Sequence, residues 1–191
     1  MKRLIVVDGL DGCGKDTHAE RMQRELASRG EEVILMRHPS QKLSGRMSKR
    51  ALIKSGPVAM AFATVFYTAD VLASVRTFNR RRDGTFIFVR YLLGTAYLPL
   101  RLAHPTYSFF KKLLPFPDLA IFIDIDPSVA LRRIELRDHK REIFETREKL
   151  SRAREVARTL VDDEWVTIDN SKDGEEPFAE AKRILLEKGI L

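Results

Sequence analysis

Apolar and polar positions follow two rhythms along the chain. Five short, nearly unbroken apolar runs stand out: LIVVD (4–8), EVILMR (32–37), TFIFV (85–89), DLAIFIDI (118–125) and WVTID (165–169). Their length and β-branched content predict strands, and the alternation with helical stretches predicts a parallel sheet covered on both faces. The helical stretches begin with KDTHAERMQRELASR (15–29), which Gly30 ends. Further helices are expected near 43–55, at 57–82 with Pro57 opening it, from Asp126-Pro127, over 141–160 and over 175–188. His38-Pro39 stops the second strand and Asp83-Gly84 turns the chain into the third. Between Tyr91 and Pro117, four prolines (Pro99, Pro105, Pro115, Pro117) predict several short pieces. The sum is an α/β protein with a five-stranded parallel sheet in three layers, read as one domain over 1–191.

Composition narrows the class. With 44% hydrophobic and 32% charged residues, the chain is neither membrane-like nor disordered. The apolar run 57–75 carries Asp70 and small polar residues, so a buried helix is expected there and no membrane contact. A single cysteine, Cys13, excludes an internal disulfide framework, and no targeting signal precedes the first strand, so a cytoplasmic location is expected. The net charge of +7 points to an anionic partner. Basic residues gather at 80–82 and 132–158 without interleaved aromatics, which argues for a nucleotide over a nucleic acid.

The chemistry concentrates in GLDGCGKDT (9–17), placed between the first strand and the first helix. Gly9, Gly12 and Gly14 let backbone N–H groups turn toward a phosphate, Leu10, Asp11 and Cys13 complete the loop, and Lys15 would reach the β- and γ-phosphates. This is the G-x-x-x-x-G-K pattern of a phosphate-binding loop. The hydroxyl expected after the lysine is displaced by one: Asp16 follows Lys15 and Thr17 comes next. A carboxylate beside a polyphosphate calls for a cation between them, and Mg²⁺ accepts hard oxygen ligands. Asp16, Thr17 and Asp8 are therefore the candidate Mg²⁺ ligands. His18, His38, His104 and His139 show no metal-ligand spacing.

The loop VVDGLDGCGKDT (6–17) resembles that of thymidylate kinases, and the likeness continues through RHP (37–39), VFYTADVLASV (65–75), VRYLLGTAY (89–97), PDLAIFIDIDPSVALRRIELR (117–137) and VTIDNSKDGEE (166–176). The resemblance implies a P-loop NTPase-type fold with a short mobile lid at about 137–147. It implies phosphoryl transfer from ATP to a nucleoside monophosphate with Mg²⁺, and a homodimer joined through helices. Catalysis would fall to Lys15, Arg90 and Arg141, with Arg137 also over ATP and Lys140 beside them in the lid. The acceptor would meet Asp11, Arg37, Tyr67, Asp70, Arg90 and Tyr97, with Tyr67 stacking its ring on the base and its hydroxyl dispensable. Three positions depart from the pattern: Asp16, Val71 in place of an arginine, and Val89 in place of an aspartate. Both valines fall on the acceptor side, so another acceptor (a nucleoside or small alcohol) and a nucleotide-binding protein without turnover stay open as alternatives. The carboxylate absent at 89 and present at 16 reads as a swap around one metal.

Overall fold

The computed structural model describes residues 1–52, 57–136, 146–172 and 174–191. Five strands, β1 (Lys2–Gly9), β2 (Val33–Arg37), β3 (Gly84–Val89), β4 (Leu119–Asp124) and β5 (Trp165–Asp169), form one sheet in the order β2-β3-β1-β4-β5. Every pairing is parallel, with Val7 opposite Val89 and Gly9 opposite Ile123. Because side chains alternate along a strand, Ile5 and Val7 join an aliphatic core with Ile87, Ile121 and Met22 of α1 (Lys15–Ser28). Leu4 and Val6 point the other way, into a core with Phe86, Phe88 and Phe122. Helices α3 (Pro57–Arg80), α4 (Leu100–Leu113) and α6 (Arg147–Leu160) contribute to that second core. The remaining helices are α2 (Leu43–Leu52), α5 (Pro127–Glu135) and α7 (Glu176–Glu187). The three-layer parallel α/β expectation holds, and no helix among the described residues is long and apolar enough to cross a membrane.

Local differences have local causes. The stretch 91–117 is a 3-10 turn (Leu93–Tyr97) and one continuous 14-residue helix, α4, that runs through Pro105. Pro105 removes one backbone donor but is exposed, while Ala103 and Tyr107 on the opposite side are buried. The expected helix 141–160 is α6 from Arg147, because Thr146 is extended and its hydroxyl accepts the Lys149 N–H as an N-cap. Residues 137–145, which include the expected lid cations Arg137, Lys140 and Arg141, lie outside the described residues. Asp126 caps α5 as expected, accepting the Ser128 N–H at 2.8 Å.

Candidate nucleotide site

All five parallel strands end on one side of the sheet, where α/β proteins bind ligands. The β1–α1 loop sits there. Gly12 has φ +79°, and a Cβ on it would meet the Ala130 carbonyl oxygen at 2.6 Å, so only glycine fits. Asn170, just after β5, donates from Nδ2 to the Cys13 carbonyl at 2.7 Å and braces the loop from outside. Leu10 and Cys13 are buried and anchor the loop in the aliphatic core. Lys15 folds back over the loop, its Nζ donating to the Leu10 carbonyl at 2.8 Å.

Asp11 organises the positive charge. Its carboxylate pairs with the Arg90 guanidinium, lies 3.8 Å from Lys15 Nζ and accepts the Tyr97 hydroxyl at 2.9 Å. The same hydroxyl accepts the Asp11 N–H at 2.9 Å. Burial pushes the Asp11 carboxyl pKa up, but Arg90 and Lys15 outweigh it and hold the value at about 2. The Tyr97 phenol is pushed well up, first by burial and then by the Asp11 charge, so it stays a donor. Two cations and one anion thus meet at the loop, leaving net positive charge where phosphates would arrive.

Arg90 itself is held in an unusual backbone state. Its φ is +63°, a region non-glycine residues seldom occupy. Its N–H donates to the Val7 carbonyl, and its carbonyl accepts the Tyr67 hydroxyl at 3.0 Å and His38 Nδ1 at 3.0 Å. His38 Nδ1 also faces the Val89 carbonyl, so that nitrogen carries the proton, and Nε2 accepts from Ser74 Oγ at 2.8 Å. Burial lowers the His38 pKa and favours this neutral form. Strain of this kind persists only where the surroundings enforce it.

Against this geometry, likeness to known proteins is extensive. The family model described as thymidylate kinase matches residues 7–180. The chain is 29% identical to the thymidylate kinase of Akkermansia muciniphila, covering 96% of this chain and 91% of that one. It is 27% identical to a probable thymidylate kinase of Pyrobaculum aerophilum, covering 95% of each. The chain belongs to the thymidylate kinase family. The fold agrees with that of the thymidylate kinase from Candida albicans, at a TM-score of 0.77 and 19% identity over 99% of this chain and 93% of that one. As a thymidylate kinase-like protein, the chain is a phosphotransferase of the nucleoside monophosphate kinase type.

Within this kinase, Asp11, Lys15, Arg90 and Tyr97 come together in one cluster. Tyr67 reaches the same place from α3 through the Arg90 carbonyl. Arg37, at the end of β2, is held by Asp16 Oδ1 at 3.3 Å and Glu20 Oε1 at 2.6 Å. Thr17 is exposed beside Asp16 on the first turn of α1.

The Asp8 carboxylate, expected as a metal ligand, is buried and accepts the backbone N–H groups of Gly9, Tyr91, Leu92 and Leu93, three of them at Oδ2. Asp70, expected on the acceptor side, accepts Ser40 N–H, Ser40 Oγ and Ser44 Oγ at 2.6 to 2.9 Å and fixes the segment after β2. Val89 is 1% exposed in the aliphatic core, while the Asp16 side chain is 54% exposed at Arg37.

His38 and Asn170 escaped the reading of the sequence as site residues. Their only signal was position, each directly after the carboxyl end of a strand. The Tyr67 hydroxyl was also undervalued. Because it holds the Arg90 carbonyl, Tyr67→Phe is expected to lower kcat by roughly tenfold, the worth of about one hydrogen bond. Tyr67→Ala should additionally raise the acceptor KM, by a factor matching about 1–3 kcal/mol of base stacking. Steady-state kinetics of the two variants separates ring from hydroxyl, and a Tyr67→Phe enzyme with unchanged kcat would refute the coupling to Arg90.

Proposed function

We propose that the chain transfers the γ-phosphate of Mg²⁺-bound ATP to the phosphate of thymidylate or a close relative, giving the diphosphate and ADP. The meeting of Lys15, Arg90 and Asp11 at the phosphate loop carries this reading. Phosphoryl transfer is catalysed mainly by positioning and by cations that stabilise the charge on the transferring group. Lys15 and the loop amides of Gly9 to Thr17 grip the donor, and Arg90 neutralises charge between donor and acceptor. Asp11 receives the acceptor's sugar hydroxyl, Arg37 its phosphate, and Tyr67 and Tyr97 border the acceptor. The family resemblance assigns the donor ATP to Arg137 and Arg141 as well, both outside the described residues.

Mg²⁺ is normally bound by one or two protein oxygens together with substrate phosphates. The described residues contain no group of three or more His, Cys, Asp or Glu that could cage an ion. They do present the exposed Asp16 carboxylate and Thr17 on the turn that follows Lys15, which fits such a sparse site. Bound there, the ion would neutralise phosphate charge and the repulsion between Asp16 and the donor. Asp16→Ala is then expected to shift the Mg²⁺ titration of activity to higher concentration and to cut kcat. An unaltered Mg²⁺ curve with only a raised acceptor KM would assign Asp16 to holding Arg37 instead.

An ADP-release assay over nucleosides and nucleoside monophosphates tests the function itself. Turnover should require a monophosphate acceptor, and absence of ADP release with every acceptor would favour a binding protein. Assembly is proposed as a homodimer through α3, where Phe62 and Val65 are 57% and 65% exposed on one side of the helix. Light scattering should give twice the monomer mass, and the monomer mass at working concentrations would refute it.

A further inference from the structure

His38 stands directly after β2, is 4% exposed, and has polar partners at both ends of its ring. Nδ1 lies 3.0 Å from the Arg90 carbonyl oxygen and 3.2 Å from that of Val89. One nitrogen meets two acceptors by sharing its proton between them, a three-centre hydrogen bond. At the other end, Nε2 accepts from Ser74 Oγ of α3 at 2.8 Å. The ring meets Phe88 and Tyr67 edge-on, at centroid distances of 5.5 and 6.5 Å. The His38 backbone N–H also donates to the Val89 carbonyl, at 3.0 Å. The imidazole cannot turn without breaking its contacts to β3 and to α3.

What the ring holds is strained. Among the described residues, Arg90 is the single non-glycine at positive φ. The peptide units on both sides of it are tied down. Its N–H donates to the Val7 carbonyl, and the Tyr91 N–H donates to Asp8 Oδ2 at 2.8 Å. The Arg90 carbonyl takes His38 Nδ1 and the Tyr67 hydroxyl, and His38 adds the tie to the preceding carbonyl. A return to negative φ would redirect the Cα–Cβ bond and carry the guanidinium away from Asp11. We propose that His38 is a positioning residue of the kinase: by holding the Arg90 carbonyl, it keeps the strained backbone and aims the guanidinium at the phosphate loop. The proposal rests on the reading of Arg90 as a catalytic cation.

Two amide variants separate this role from packing. The amide nitrogen of asparagine takes the place of Nδ1, and that of glutamine the place of Nε2. Glutamine is closer to histidine in volume, so packing alone ranks His38→Gln above His38→Asn. Positioning reverses that order. His38→Asn should keep kcat within about threefold of wild type, whereas His38→Gln should lose roughly tenfold, the worth of about one hydrogen bond. The ATP KM should move less than about twofold in either variant, since an interaction made only in the transition state is the one disturbed.

Amide hydrogen exchange gives a reading without substrate. The Tyr91 N–H shares a peptide unit with the Arg90 carbonyl. In His38→Gln it should exchange roughly tenfold faster relative to the β1 amides, which register global stability. In His38→Asn that ratio should stay near wild type. His38→Leu, which fills the site without a donor, replaces His38→Gln if the latter does not fold. A His38→Gln protein with wild-type Tyr91 exchange, or with kcat at or above that of His38→Asn, overturns the proposal. The expected exchange pattern without ADP release by the wild type would strike the kinase reading alone. ADP release by the wild type with unmoved Tyr91 exchange in His38→Gln would strike this proposal alone.

Discussion

Replacing Lys15 with alanine is expected to lower kcat at least 10²–10³-fold, about 3–4 kcal/mol of transition-state stabilisation, the scale for removing one preorganised charge-stabilising donor. The loss should be specific to chemistry and donor binding. Lys15 Nζ donates to the Leu10 carbonyl and pairs with the Asp11 carboxylate, and Asp11 keeps Arg90 and Tyr97 when the lysine is gone. The buried anion is therefore not abandoned, and circular dichroism and the urea midpoint should stay close to wild type. Lys15→Met, which preserves the apolar stem, provides the control for packing. A folded Lys15→Ala protein that turns over at the wild-type rate would remove the phosphate loop from the mechanism.

Asp8→Ala should produce the opposite profile, a collapse of stability. Four backbone N–H groups converge on this carboxylate, which is fully buried. Hydrogen bonds to a charged acceptor contribute about 1.5–3 kcal/mol each, and stripping the acceptor leaves buried donors unpaired. These losses are not additive, and a total of about 3–5 kcal/mol is expected, as for other broken buried charge networks. For a chain of this size that lowers the thermal midpoint by roughly 10 °C or more. A metal ligand would behave differently: the midpoint would hold without Mg²⁺, and the Mg²⁺ titration alone would move. An Asp8→Ala variant with an unchanged midpoint would refute the structural role.

These two residues mark how far the sequence could be read. Lys15 was legible because its partners are local: a strand, a glycine-rich turn and a helix start within 17 residues of the N-terminus. The strands were legible for a similar reason, since burial on both faces leaves an unbroken apolar run. Asp8 was not, because its donors at Tyr91, Leu92 and Leu93 lie 83 to 85 residues away and only the β1–β3 pairing brings them near. The same holds for His38, whose partners come from the end of β3 and from α3. What the Asp70 carboxylate bonds was hidden for the same reason, since its partners Ser40 and Ser44 lie 26 to 30 residues away. Pro105 misled for another reason. A proline disrupts one bond, and the burial of Ala103 and Tyr107 on the other face of α4 is enough to carry the helix past it.

The strand order β2-β3-β1-β4-β5 has a consequence for how such an enzyme can diverge. It sets β1 and its phosphate loop as a midline. Arg37, His38, Val71, Val89 and Arg90 lie on or against the strands to one side, and Asn170 and the α5 carbonyl that crowds Gly12 come from the other. Away from Arg90, substitutions on the first flank leave the packing of the phosphate loop on β4, β5 and α5 untouched, and the valines at 71 and 89 lie wholly on that flank.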